Sequence, residues 1–136
     1  MAALASITAV RPTADTVTTL GIYGATIAAG QSVYQDSADS QWKLADSNAS
    51  AAIAAAKGVS MTPGIASGYG VIATGGGIIL VGTTAVVGAN YFVGAAAGSI
   101  VPDADLTTGD YVTRIGTAAS ATQINLSVSA TGILHA

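Results

Sequence analysis

A mainly β fold, a small β-barrel or β-sandwich with one short α-helix at about residues 47–57, is what this sequence predicts. Three observations predict it. Residues 122–130 alternate apolar with polar side chains, short β-branched or aromatic runs are bounded by glycine, and residues 31–45 read as a hairpin. At 136 residues the chain has the size of one domain with one core. We divide it into residues 1–27, an N-terminal arm or first strand, and residues 28–136, a barrel-like domain.

In chain order, Thr16-Val17-Thr18-Thr19-Leu20 is a possible strand at the end of the N-terminal segment. In the hairpin, Val33 and Tyr34 lead into a polar tip from Asp36 to Ser40, and Trp42 and Leu44 return on alternate positions. For the helix, Asp46, Ser47 and Asn48 offer capping oxygens, residues 49–57 are rich in alanine, and Gly58 stands where a C-terminal glycine cap belongs. Its one large apolar residue is Ile53, so such a helix must be held by the sheet it lies on.

Residues 58–102 carry no charge, and 71–98 are long enough to cross a bilayer as a helix. The glycines at 75–77, 82, 88 and 94 argue against that helix, each costing about 1 kcal/mol relative to alanine. Between them, Ile78-Ile79-Leu80-Val81, Val86-Val87 and Tyr91-Phe92-Val93 read as strands bounded by turns. Residues 92–101 form a second predicted hairpin with its tip at 94–98, and 111–115 a further strand before a connection at 116–121. Three places share one grammar, a glycine turn followed by an aromatic or β-branched pair: residues 30–34, 88–93 and 109–112.

Composition narrows function. Charged residues are 8% of the chain, and the acids are seven aspartates with no glutamate. An ordinary soluble domain has about a quarter charged residues, so this surface of Ser, Thr, Ala, Gly, Asn and Gln has little charge to hold molecules apart. Arg11, Lys43, Lys57 and Arg114 are too few and scattered to neutralise a row of phosphates, and neither nucleic acid nor a membrane is an expected partner. There is no cysteine, which excludes disulfides and thiolate metal sites. Residues 1–10 are apolar but lack a basic start, and we read no signal peptide there.

No catalytic, cofactor-binding or metal-binding residue is nominated, and the chain is not read as an enzyme. His135 is the sole histidine, one residue from the last, where chain ends are usually mobile. Asp103, Asp105 and Asp110 form the densest acidic cluster, yet they lack a known calcium-loop spacing and read as a turn after Pro102; whether they bind a cation stays open. Asp36 and Asp39 read as a hairpin tip. The triplet Gly75-Gly76-Gly77 has no lysine or hydroxyl residue at phosphate-loop spacing. Trp42, Tyr23, Tyr34, Tyr69, Tyr91 and Tyr111 read as anchors of a core or interface.

Three segments carry a resemblance: Ala29-Gly30-Gln31-Ser32-Val33-Tyr34; Trp42-Lys43-Leu44-Ala45-Asp46 running into the alanine-rich residues 49–58; and Ala104-Asp105-Leu106-Thr107-Thr108-Gly109-Asp110-Tyr111-Val112. In this pattern the chain from residue 28 onward resembles the head decoration, or capsid cement, proteins of tailed bacteriophages. The resemblance implies a small barrel-like homotrimer that docks on the outer face of an expanded capsid, with the major capsid protein as partner and the virion as location. A trimer built through strand runs such as residues 78–81 would cover sheet edges. The alternatives are another virion part, such as a tail or fibre component, or a carbohydrate-binding adhesin that uses an exposed Trp42 and tyrosines.

Overall fold

The computed structural model describes residues 3–135 and is mainly β, a curled antiparallel sheet forming a half-barrel with a single short helix. Ten strands build it: β1 Ala9–Pro12, β2 Val17–Ile22, β3 Ser32–Gln35, β4 Trp42–Leu44, β5 Gly58–Ser60, β6 Tyr69–Val81, β7 Asn90–Val93, β8 Ile100–Pro102, β9 Tyr111–Ala118 and β10 Gln123–Leu134. Their order is β4-β3-β5-β6-β10-β9-β7-β8, and β1 and β2 both pair with β6. Strand β6 is therefore the spine. Its first half lies between β2 and β5, and its second half between β1 and β10.

Both predicted hairpins form. Val33, Tyr34 and Gln35 face Leu44, Lys43 and Trp42, while Tyr91, Phe92 and Val93 face Pro102, Val101 and Ile100. The glycine grammar also forms. Gly30, Gly88 and Gly109 have φ of 84°, 82° and 97°, and each stands two residues before a strand, at β3, β7 and β9. A left-handed backbone there turns the chain at little steric cost, and the aromatic or β-branched residues that follow enter the sheet.

Elsewhere local propensity loses to long-range pairing. The helix, α1, covers only Ala51–Ala54, capped by the Ser50 side chain, which accepts from the Ile53 amide at 3.2 Å. Residues predicted at its ends are committed to other bonds. The Ser47 amide donates to Gly94, the Tyr111 amide donates to the Ser47 carbonyl, and the Lys57 amide donates to Val33. Gly58 does not cap the helix; it opens β5 opposite Val33.

Residues 75–77, predicted as a turn, lie inside β6. Gly76 takes φ of 73°, and the distortion is closed by the 13–16 segment. The Thr16 hydroxyl donates to the Gly77 carbonyl at 2.6 Å, and the Gly77 amide donates to Asp15 Oδ1 at 3.2 Å. The Thr13 hydroxyl, which donates to Asp15 Oδ1, and then the Gly77 amide hold the Asp15 carboxyl below its ordinary pKa range.

Val86 and Val87, predicted as strand, form an exposed turn in which the Ala89 amide donates to the Val86 carbonyl. The Val86 amide is satisfied by the buried phenol oxygen of Tyr91 at 3.0 Å. Gly116 to Ala118, predicted as connection, continue β9. In β10 the alternation holds for Ile124 and Leu126, then ends; residues 129–134 are all exposed.

The main core gathers Ile78, Leu80, Tyr91, Val93, Ile100, Ile115, Ile124 and Leu126 under the second half of β6. A smaller cluster of Tyr23, Ile27, Val33, Trp42 and Ile72 lies under the first half. The uncharged stretch 58–102 is thus strand and turn, and among the described residues no helix is long and apolar enough to cross a membrane. The run 78–81 is no sheet edge either, because β1 pairs with it on one side and β10 covers Ile78 and Ile79 on the other.

Candidate interaction surface

The titratable residues are placed as structural groups. Asp103 and Asp105 sit exposed in a single 3-10 turn. Asp110 is buried at 2% exposure, and its Oδ2 accepts from the amide and the hydroxyl of Thr107 at 2.9 and 3.1 Å. Asp110 therefore closes a turn with its own neighbour. Among the described residues no group of three His, Cys, Asp or Glu side chains is arranged to hold a metal ion.

Asp36 and Asp39 both reach Lys43 across the hairpin, at 2.7 and 3.2 Å, a pairing the sequence reading did not anticipate. The Lys43 ammonium holds the Asp36 carboxyl below its ordinary range, and the two aspartates raise Lys43 in return.

His135 is tied down at its backbone, contrary to the mobile end expected for it. Its amide donates to the Asp110 carbonyl at 2.6 Å, and its carbonyl accepts from Gly109 at 3.2 Å. Since Tyr111 bonds Ser47, a serine, a histidine and an aspartate come into one neighbourhood. They form no relay: Ser47 Oγ and His135 Nδ1 are buried without a hydrogen-bond partner among the described residues, and Asp110 Oδ2 is engaged by Thr107.

Most aromatic residues turn inward. Tyr23 and Tyr91 are fully buried, and Trp42 is 6% exposed, so Trp42 does not present the open ring the adhesin alternative needs. The Tyr23 ring lies against Gly64 and Gly70, where a Cβ would collide with it, and its hydroxyl donates to the Thr62 carbonyl at 2.7 Å. Burial raises the Tyr23 pKa. Trp42 fills the space over Gly21 in the same way. Glycine occurs at 21 and 70 because neighbouring aromatic rings already occupy the volume beneath those positions.

The consequence appears on the opposite face. With glycine inward at 21 and 70, the large side chains next to them in β2 and β6 point out, while Ile72 turns inward. Leu20 faces Val71 and Ile22 faces Tyr69 across the strand pair, which puts all four on one face. Leu20 is 68% exposed and Tyr69 70%; Ile65, on the connection entering β6, is also exposed. Beside them runs a groove of about 360 Å³ that Leu20, Ile22, Tyr69, Trp42 and the hairpin tip line. The charged side chain on its wall is Asp39, already paired with Lys43. A contiguous apolar patch with a polar rim suits protein contact.

Sequence reading identified the strand at 16–20 but not this face. Alternation tells which residues share a side, and the usual inference sends the larger ones inward; here Tyr23 and Trp42, which follow β2 and begin β4, reverse it. The signal that could have found the face is a glycine at alternate positions beside large apolar residues in both strands, Leu20-Gly21-Ile22 and Tyr69-Gly70-Val71. No protein-family model matches the chain, and no curated protein matches it.

Proposed function

We propose that the chain is a non-catalytic structural protein of a virus particle that binds the outer surface of an expanded phage capsid and stabilises it. The observation that carries this reading is the uncharged apolar face of β2 and early β6, on a small curled β-sheet of the kind the decoration-protein resemblance implies. Apolar and hydroxyl-rich surface can be covered at far smaller desolvation cost than charged surface, provided its hydrogen bonds are met. The major capsid protein is the proposed partner, and the resemblance implies three copies per site.

The mechanism is mass action. A ligand that binds only the expanded shell stabilises that state in proportion to its occupancy and affinity, and repetition over many sites makes modest contacts sufficient. No proton transfer or bond cleavage is required of the chain.

Co-sedimentation with capsids that lack the protein tests this. The expected result is saturable pelleting with expanded capsids and none with unexpanded ones, reduced at least tenfold by Tyr69→Asp and unchanged by Val87→Asp. Equal pelleting with both capsid forms, or with neither, contradicts the proposal.

A further inference from the structure

A curled sheet that stops short of a barrel leaves two margins whose backbone groups must be covered. In the part of the sheet ordered β1-β6-β10-β9-β7-β8, those margins are β1 and β8. Residues 4–8 run from one to the other. The Thr8 amide donates to the Val81 carbonyl at 2.8 Å, just before β1, and the Leu4 amide donates to the Ile100 carbonyl of β8 at 2.9 Å. Four residues of extended chain reach about 14 Å, so the curl brings the two margins near enough for one short segment to join them. That segment closes the seam of the half-barrel.

Its hold is slight. Leu4 enters the main core at 6% exposure, and Ile7 packs against that core over Gly30, where a Cβ would collide with it. Between the two end bonds, the amides of Ala5, Ser6 and Ile7 find no acceptor among the described residues, and Ala5 and Ser6 are exposed. Ser6 stands at φ of 61°, a left-handed backbone that a residue with a Cβ adopts only at a cost. Between the segment and the chain at 28–31 and 97–99 lies a pocket of about 260 Å³, so packing partners are missing along that side. From Ala9 onward the situation reverses, because β1 is held by four successive pairings with β6.

We propose that residues 4–7 are a strap that opens and closes as one unit, pivoting at Thr8, while β1 and the other strands stay paired. Two apolar anchors and the bond to Ile100 hold it shut; the left-handed Ser6 and the unfilled pocket favour its release. Opening bares the Ile100 carbonyl and the β8 margin and empties the place of Leu4 in the core. Closing seals both. The strap is thus a gate on the β8 margin, and it does not rest on the capsid reading.

Amide exchange of the full chain in rising, sub-denaturing urea tests this. Relative to intrinsic rates, Leu4 is expected to exchange at least about a hundredfold faster than Leu80, at a rate that urea hardly changes, while Thr8 stays at least about tenfold better protected than Leu4. Ser6→Gly relieves the left-handed backbone of the closed strap and is expected to raise Leu4 protection at least about threefold. Ala5→Gly, at a position without positive φ, is expected to lower it. Leu4 protected as well as Leu80, Thr8 losing protection together with Leu4, or Leu4 protection that Ser6→Gly does not raise overturns the proposal.

Discussion

The two halves of β6 are built from similar residues and face opposite surroundings. In the second half, Ile78 and Leu80 are each 1% exposed, and β1 and β10 flank the strand. In the first half, Ile72 is fully buried, but Tyr69 is 70% exposed and its β2 neighbours Leu20 and Ile22 are exposed beside it. The difference lies in who fills the core. Under the second half, β6 supplies its own aliphatic side chains; under the first, Ile72 is joined by the rings of Tyr23 and Trp42, which fill the space over Gly70 and Gly21. Apolar residues displaced to the outer face are then available to another surface.

The largest expected effect follows from that contrast. Ile78→Ala removes fully buried aliphatic volume and should cost about 2–5 kcal/mol in chemical denaturation, whereas Tyr69→Ala should stay within about 0.5 kcal/mol. Comparable losses at both positions would break the comparison.

A smaller effect is expected at the hairpin tip that walls the groove. Asp36 is stabilised as the carboxylate, so its contribution is fully present above its unfolded pKa of about 4 and is lost as pH falls through the lower folded value. Lys43, raised by the same pair, contributes below its unfolded pKa of about 10.4 and loses that contribution as pH rises through the folded value. The tip should therefore be pH-insensitive between these limits. Below about pH 4 it should loosen, seen as lower exchange protection, relative to the intrinsic rate at each pH, of the Asp36 amide, which donates to the Gln41 carbonyl, while the protection of the Leu80 amide is unchanged.

Much of the fold was legible because its determinants are local. A left-handed glycine two residues before a strand and a polar tip between aromatic runs act within a few positions, and they placed β3, β4, β7, β8 and the start of β9. What was not legible depends on distant partners. Gly76 is accommodated within β6 because Asp15 and Thr16 bond its neighbour Gly77 from some sixty residues away. Val86 and Val87 leave the sheet because the surrounding amides find Tyr91, Ala118 and Ala121. The helix was overextended because nothing near residues 47 and 57 announces that Gly94, Tyr111 and Val33 claim their backbone. For the same reason the exposed apolar face stayed hidden: Leu20 and Tyr69 have the look of core residues until the rings behind Gly21 and Gly70 are placed.

The central claim is that the chain works by having its β2 face covered. Amide hydrogen exchange, comparing dilute protein with its assembled form, measures this residue by residue. Assembly is predicted to slow exchange at Thr18 and Leu20, leaving Val87 and Ile133, which are also exposed apolar residues, unchanged. Protection at Val87 or Ile133 with none along β2 would contradict the account.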